Sequence, residues 1–323
     1  MGDVTNIAWT HHTFNGWIGC HRISEACRFC YAAHETPVRV HRQRGLELWG
    51  KDAARHVTGD DNWRKPLKWN RDAMQAGERR RVFCASLADV FEDRRDLDVH
   101  RARLWDLIAA TPWLDWLLLS KRWGIADIPG MVPAAWSAGW PRNVWAGATV
   151  ENQRAADERI PHLLRIPAVV RFLSMEPLLE AVDLDPPTCP SCEGHDAVTG
   201  SDGATLFCRE HGDEMAFSAW LDPCASAKQA GINWVIVGGE SGPKARPFDL
   251  AWARAIRDQC REAEVACFVK QIGARPQPER VRVPEAGPDA WMFEHLHIRD
   301  SHGGDPSKWP ADLRVREFPT MTQ

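Results

Sequence analysis

The chain has 323 residues, 44% of them apolar and 26% charged, with a formal net charge of −4. This composition excludes a disordered or collagen-like chain, and the length suffices for one large domain or two small ones. The acidic balance excludes a protein-wide basic field for nucleic acid, and no apolar run nears the ~20 residues that a membrane span needs.

The N-terminus, Met1-Gly2-Asp3-Val4, has no basic segment followed by an apolar one, so it does not read as a signal peptide and the chain is expected in the cytoplasm. In a reducing compartment ten cysteines point to metal binding or redox chemistry before disulfides. The first group is Cys20, Cys27 and Cys30, spaced Cys-x6-Cys-x2-Cys. Three soft thiolates suit zinc, with His21 or His34 as a fourth ligand, and equally an iron–sulfur cluster with one iron left open; spacing alone leaves both standing. Residues 64–81 hold Arg64, Lys65, Lys68, Arg71 and the run Arg79-Arg80-Arg81. They read first as a solvated helix face and second as a local nucleic-acid surface.

Six apolar runs follow, at 82–86, 116–120, 144–148, 169–174, 234–238 and 266–269. They are apolar on both faces, as strands of a helix-covered parallel sheet must be. Between them, 97–111, 155–165 and 250–263 repeat apolar residues at helical spacing, with Asp249 placed to cap the last. Alternating strands and helices predict an α/β fold, a partial or full (β/α) barrel. Polar residues stand at the end of every run: Ser86 and Asp89; Ser120, Lys121 and Arg122; Thr149 and Glu151; Ser174 and Glu176; Gly238, Gly239 and Glu240; Lys270 and Gln271. Polar groups gathered at the C-terminal ends of strands are what a barrel active site requires, although each taken singly also reads as a turn or cap residue.

Residues 186–226 break the rhythm with prolines, glycines and four cysteines. Cys189 and Cys192, followed after a 15-residue gap by Cys208 and His211, have zinc-knuckle spacing, with Cys224 as the alternative fourth ligand. The expected role is structural, a Zn2+ ion cross-linking a loop too polar to make a core. The expected organisation is therefore a barrel from 1–185 and 227–273, a small zinc-binding insertion at 186–226, and a C-terminal extension at 274–323 packed on the barrel. Cys84, Cys260 and Cys267 sit in apolar contexts and read as packing residues. Cys84 keeps a second reading as a hydrogen-atom donor, because its strand would line the barrel, and Lys270 is the other candidate catalytic residue.

A three-cysteine loop ending in Cys27-Arg28-Phe29-Cys30, ahead of a run of β/α units, resembles the radical S-adenosylmethionine (SAM) superfamily. The usual first gap there is three residues; here it is six. More closely, the chain is similar to the phage Gp37/Gp68-type protein family, an outlying radical SAM-like group. The matching segments include Ser86-Leu87-Ala88-Asp89-Val90-Phe91, Leu119-Ser120-Lys121-Arg122, Leu173-Ser174-Met175-Glu176-Pro177-Leu178, Val237-Gly238-Gly239-Glu240-Ser241-Gly242 and Phe268-Val269-Lys270-Gln271.

The resemblance implies a barrel of radical SAM type. Cys20, Cys27 and Cys30 would hold a [4Fe-4S] cluster whose open iron takes the methionyl group of SAM, leading to a 5′-deoxyadenosyl radical that abstracts hydrogen from a substrate. It places Phe29 in the cofactor loop and has Ser86 and Asp89 stand in for the superfamily's Gly-Gly-Glu motif at the methionyl ammonium. Lys121 or Arg122 would pair the carboxylate. Thr149, Glu151, Ser174 and Glu176 would hold the ribose, and Gly238, Gly239 and Glu240 would let backbone approach a ligand closely. The implied partners are a flavodoxin- or ferredoxin-type electron donor and a nucleoside, nucleotide or DNA base as substrate, with a peptide or tRNA substrate as a further reading. A monomer is expected, with no membrane association. The competing reading from another class is a non-catalytic zinc-stabilised nucleic-acid or protein-binding module, with both cysteine groups structural.

Overall fold

The computed structural model describes residues 5–184, 187–188, 197–199, 206–208, 216–217, 231–282, 291–294, 296 and 300–320. Seven parallel strands form one curled sheet, a half-barrel, and their spatial order follows the chain. They are β1 (His12–Phe14), β2 (Arg80–Cys84), β3 (Leu114–Ser120), β4 (Val144–Thr149), β5 (Arg171–Met175), β6 (Trp234–Gly238) and β7 (Ala266–Gln271). Each pairs with the next in parallel register, from His12 opposite Val82 to Trp234 opposite Ala266. The apolar runs expected as strands coincide with β2 to β7 within two residues at either end.

Alternation along the strands explains why the sheet buries both faces. Phe83, Leu117, Trp145, Phe172, Trp234, Ile236 and Phe268 point to the concave side and form one cluster with Trp9. Their neighbours Val82, Cys84, Leu118, Ala146, Leu173, Val235 and Val269 belong to the larger cluster under the helices. Gly147 of β4 is obligatory here, because a Cβ on it would collide with the outer edge of the Phe172 ring.

Helices α1 (Thr36–Gln43), α2 (Asp60–Ala76), α3 (Asp98–Ala109), α4 (Gln153–Leu164) and α5 (Leu250–Glu262) have clear local causes. In α2, Asp60 and Asp61 favour the positive N-terminal end, and Trp63, Trp69 and Ala73 form the buried face. It stops at Gly77, which adopts the left-handed conformation (φ 67°) while Glu78 N donates to Ala73 O at 3.1 Å. Asn152 caps α4 through Ala155 N at 2.9 Å, and Asp249 caps α5 through Ala251 N at 2.8 Å.

The basic stretch 64–81 lies largely on α2, and three of its charges have carboxylate partners. Arg64 pairs with Asp61, Lys68 with Asp72, and Arg79 with Asp115. This is the solvated helix face, with much of its positive field neutralised locally.

The last described segment covers the free edge of β7. Val269 N donates to Val315 O and Glu317 N to Cys267 O, both at 2.9 Å, while the Trp234 indole donates to Glu317 O. Trp309 and Leu313 are buried in the core under the helices. Phe318 packs on Trp234 and Phe268, and the Arg81 guanidinium sits 3.9 Å from its ring centre. No helix among the described residues is long and apolar enough to cross a membrane.

Candidate active-site cleft

The loop after β1 carries the first three cysteines, and backbone contacts hold it over the strand ends. Trp17–Ile18 pairs antiparallel with His56–Val57, Gly19 N donates to Leu87 O at 2.9 Å, and Gly50 N donates to Cys20 O at 3.0 Å. Asn15, fully buried at the end of β1, ties this loop to the loop after β2. Its Oδ1 accepts from Leu87 N at 2.7 Å and its Nδ2 donates to Ser86 Oγ at 3.0 Å.

Cys20, Cys27 and Cys30 line one cleft together with residues from the C-terminal ends of β2 to β7. Ser86 and Asp89 come from β2, Ser120 and Lys121 from β3, and Thr149 from β4. Ser174 and Glu176 come from β5, Gly239 and Glu240 from β6, and Lys270 and Gln271 from β7. Phe29 and Tyr31 form part of the wall on the cysteine side, and Trp9, Phe83 and Leu119 also line the cleft. Parallel strands in chain order bring these residues together although they lie more than 200 positions apart in sequence.

Several residues occupy this cleft in ways the sequence did not suggest. Asp89 accepts from Ser120 Oγ at 2.9 Å and from Phe91 N at 3.0 Å, and the Arg122 guanidinium stands 3.4 Å away. Its carboxylate therefore organises the loops as well as facing the cleft. Lys270 Nζ lies 3.0 Å from both oxygens of Glu176, forming an ion pair on the wall. Lys121 Nζ donates to Thr149 Oγ1 at 3.2 Å. Arg246 chelates Glu240 (Nη2–Oε1 2.8 Å, Nε–Oε2 3.0 Å) and also donates to Glu25 O at 3.2 Å. One guanidinium thus ties the cysteine loop to the end of β6.

Four candidates, Cys84, Glu151, Gly238 and Arg122, lie off the cleft wall, while Gly239 lines it but also serves the packing of the chain. Cys84 points the other way: β2 alternates, so Phe83 faces the concave side while Cys84 is packed with the helix-facing core, and burial pushes its thiol well up. Glu151, expected at the ribose, is buried against Arg159 at 2.6 Å instead. Gly238 and Gly239 are needed by the protein itself. A Cβ on Gly238 would sit 2.7 Å from Glu176 Oε1, and one on Gly239 would sit 2.8 Å from Phe248. Arg122 lies beneath the wall, where its Nη2 is 3.6 Å from Cys20 Sγ.

Beneath Cys20 is a charged network that no spacing rule reveals. Glu92, fully buried, accepts from Arg55 Nη2 at 2.6 Å and Nε at 2.8 Å, and from His21 Nδ1 at 2.5 Å, with Arg122 3.7 Å away. Despite the burial that opposes ionisation, these donors hold its carboxyl below the ordinary range. Burial, then the Asp89 charge, pushes the Cys20 thiol up to about 12, against the pull of Arg122. Burial raises Cys30 as well, against the pull of Lys121.

Residues 4–294 match the family model described as protein of unknown function DUF5131. The chain belongs to that family. No curated protein and no solved structure gives a significant match.

Among the described residues, no group of three or more His, Cys, Asp or Glu side chains is spaced to hold one metal ion. His21, a candidate fourth zinc ligand, has Nδ1 on Glu92 and Nε2 3.4 Å from Arg122. Of the second cysteine group, Cys189, Cys192, His211 and the alternative Cys224 lie outside the described residues, and Cys208 ends a short strand paired with 197–199.

Proposed function

We propose that the chain is a radical SAM enzyme in which Cys20, Cys27 and Cys30 hold a [4Fe-4S] cluster and the surrounding cleft holds SAM. The observation that carries this reading is that the three thiols open onto one polar cleft at the C-terminal ends of the parallel strands.

The donor set suits the group. A cubane would need each of the three thiolates on a different iron, and the three thiols open onto the same cleft. Burial holds Cys20 and Cys30 as neutral thiols, so a metal bound there would have to displace their protons. Arg122, close to the Cys20 sulfur, supplies compensating positive charge.

Bound there, the cluster and SAM supply a one-electron cleavage of the sulfonium that yields a radical able to take hydrogen from a substrate carbon. The chain's part is position, charge and exclusion of water. Lys121, on the wall beside Thr149, offers its ammonium to the methionyl carboxylate. The Ser86 and Ser174 hydroxyls and the Asp89 and Glu176 carboxylates supply acceptors for the amino group and the ribose. Lys270, paired with Glu176 on the cleft wall, is the candidate proton donor to substrate. The apolar side chains of Trp9, Phe83 and Leu119 exclude water from part of the cleft.

The test is anaerobic reconstitution with iron, sulfide, SAM and dithionite. The expected result is a brown protein with about four irons per chain that forms 5′-deoxyadenosine. A colourless protein that takes up zinc alone would instead favour the non-catalytic binding module.

A further inference from the structure

A second groove opens beside the cleft and shares Phe29, Tyr31 and Ser241 with it. Tyr31 is the hinge between the two spaces. Its hydroxyl donates to Ser86 O at 3.3 Å, which pins the ring, and the residue is still 46% exposed. Beyond it the groove is lined by Arg39, Lys244, His34 and His302, with hydroxyls from Thr36 and Ser301. Glu35 is the single carboxylate among its described lining residues.

Arg39 donates to Thr36 Oγ1 at 3.1 Å, and among the described residues neither Arg39 nor Lys244 has a carboxylate partner. The contrast is with α2, where Arg64 and Lys68 are each paired within four residues. In a chain of net charge −4, a groove with two cations that lack a carboxylate partner among the described residues, two imidazoles and several hydroxyls is a local site for an anion with many acceptor oxygens. An exposed, fixed aromatic ring at its inner end adds a stacking platform for a planar heterocycle.

We propose that this groove binds the phosphate of a nucleoside phosphate, free or at the end of a nucleic-acid strand, while its base lies against Tyr31 at the mouth of the cleft. The inference rests on the proposed function for the role of the cleft, and it names the substrate class. The carboxylate of SAM falls to Lys121 in the proposed reading, and neither Arg39 nor Lys244 lines the cleft, so both are left for the substrate.

The test is equilibrium binding to the full chain after chelation of metal, which separates it from any failure of cluster chemistry. The four deoxynucleoside 5′-monophosphates, their nucleosides and inorganic phosphate are titrated separately by calorimetry. At least one monophosphate is expected to bind about tenfold or more tighter than its nucleoside, the effect of a charge-assisted contact. The double variant Arg39→Ala/Lys244→Ala, on exposed positions, should remove that advantage and leave nucleoside binding unchanged. Tyr31→Ala should weaken nucleoside and nucleotide alike. A five-nucleotide single strand bearing a 5′-phosphate tells the sources apart: tighter binding than the monophosphate with a steep salt dependence indicates a strand end, and equal binding a free nucleotide. If no monophosphate exceeds its nucleoside, or if the double variant binds the monophosphate as well as the parent chain does, the proposal is overturned.

Discussion

The Arg122 guanidinium approaches Cys20 Sγ to 3.6 Å while its side chain is only 4% exposed. It stands between that sulfur and two carboxylates, Asp89 at 3.4 Å and Glu92 at 3.7 Å, so one buried cation offsets three groups that are or become negative.

Replacing this cation should therefore have two separable effects. Arg122→Gln leaves Asp89 without a buried charge partner, while Glu92 keeps Arg55. The expected cost is about 3 kcal/mol, the order seen when one member of a buried pair is removed. Urea midpoints read that loss. Independently, iron retained per chain after anaerobic reconstitution should fall, because Cys20 loses the charge that stabilises its thiolate. Unchanged iron retention in a folded variant would dissociate Arg122 from the cysteine site.

The two kinds of cysteine should also separate cleanly. Cys27→Ala or Cys30→Ala should abolish both iron retention and 5′-deoxyadenosine formation. Cys84→Ala should keep both, because Cys84 faces the helices, and should lose roughly 1–2 kcal/mol for a small buried side chain. Loss of product formation in Cys84→Ala with the cluster intact would return that residue to the chemistry.

Gly147→Ala tests the interior independently of any function. The added methyl would collide with the Phe172 ring inside a concave face filled by aromatic side chains. Overpacking of that kind costs about 1–3 kcal/mol, so the urea midpoint should drop. The companion Gly147→Ala/Phe172→Leu should recover part of it, and an unaltered midpoint in the single variant would contradict the packing described.

A pH effect is expected at the opposite end of the sheet. His11 Nδ1 accepts the Arg81 amide at 2.8 Å. Burial first, then the charges of Arg81, His12 and Arg80, lower its pKa from 6.5 to about 4. The unfolded chain takes up this proton near 6.5 and the folded chain resists it until about 4. The His11 contribution to stability is thus whole above pH 6.5 and declines as the pH falls towards 4. His11→Gln should flatten the loss of stability in that window; an identical slope in parent and variant would exclude it.

Much of the sheet was legible because β2 to β7 are continuous apolar runs, the pattern a doubly covered parallel strand must have. The first strand was not, since His12–Phe14 is only three residues long and includes a histidine and a threonine. Helix α2 was legible only as a charged helix face over 64–81: its buried Trp63, Trp69 and Ala73 are scattered among lysines, arginines and aspartates, so charge masked the apolar period and the start of the helix. Within the site, cysteine spacing and the polar strand ends identified Cys20, Asp89, Lys121 and Lys270. The Glu92–Arg55–His21 network escaped because its partners are 37 and 71 positions apart and meet only when adjacent strand loops stack. Orientation was the other gap. Whether Cys84 looks inward depends on the parity of β2, and a run apolar on both faces does not encode which residues look which way.

The contact between Arg81 and Phe318 gives the tail a mechanical part. A seven-strand arc has a beginning and an end, and here a residue of the second strand grips an aromatic ring that rests on strands six and seven. The tail is a clasp across the base of the half-barrel, so that its strand-start end is drawn together without an eighth strand while the cysteine end stays free to admit a ligand. Cutting the chain before Leu313 would release the clasp and bare the Cys267 carbonyl and the Val269 amide together with the Trp234 indole, an invitation to edge-to-edge association between copies.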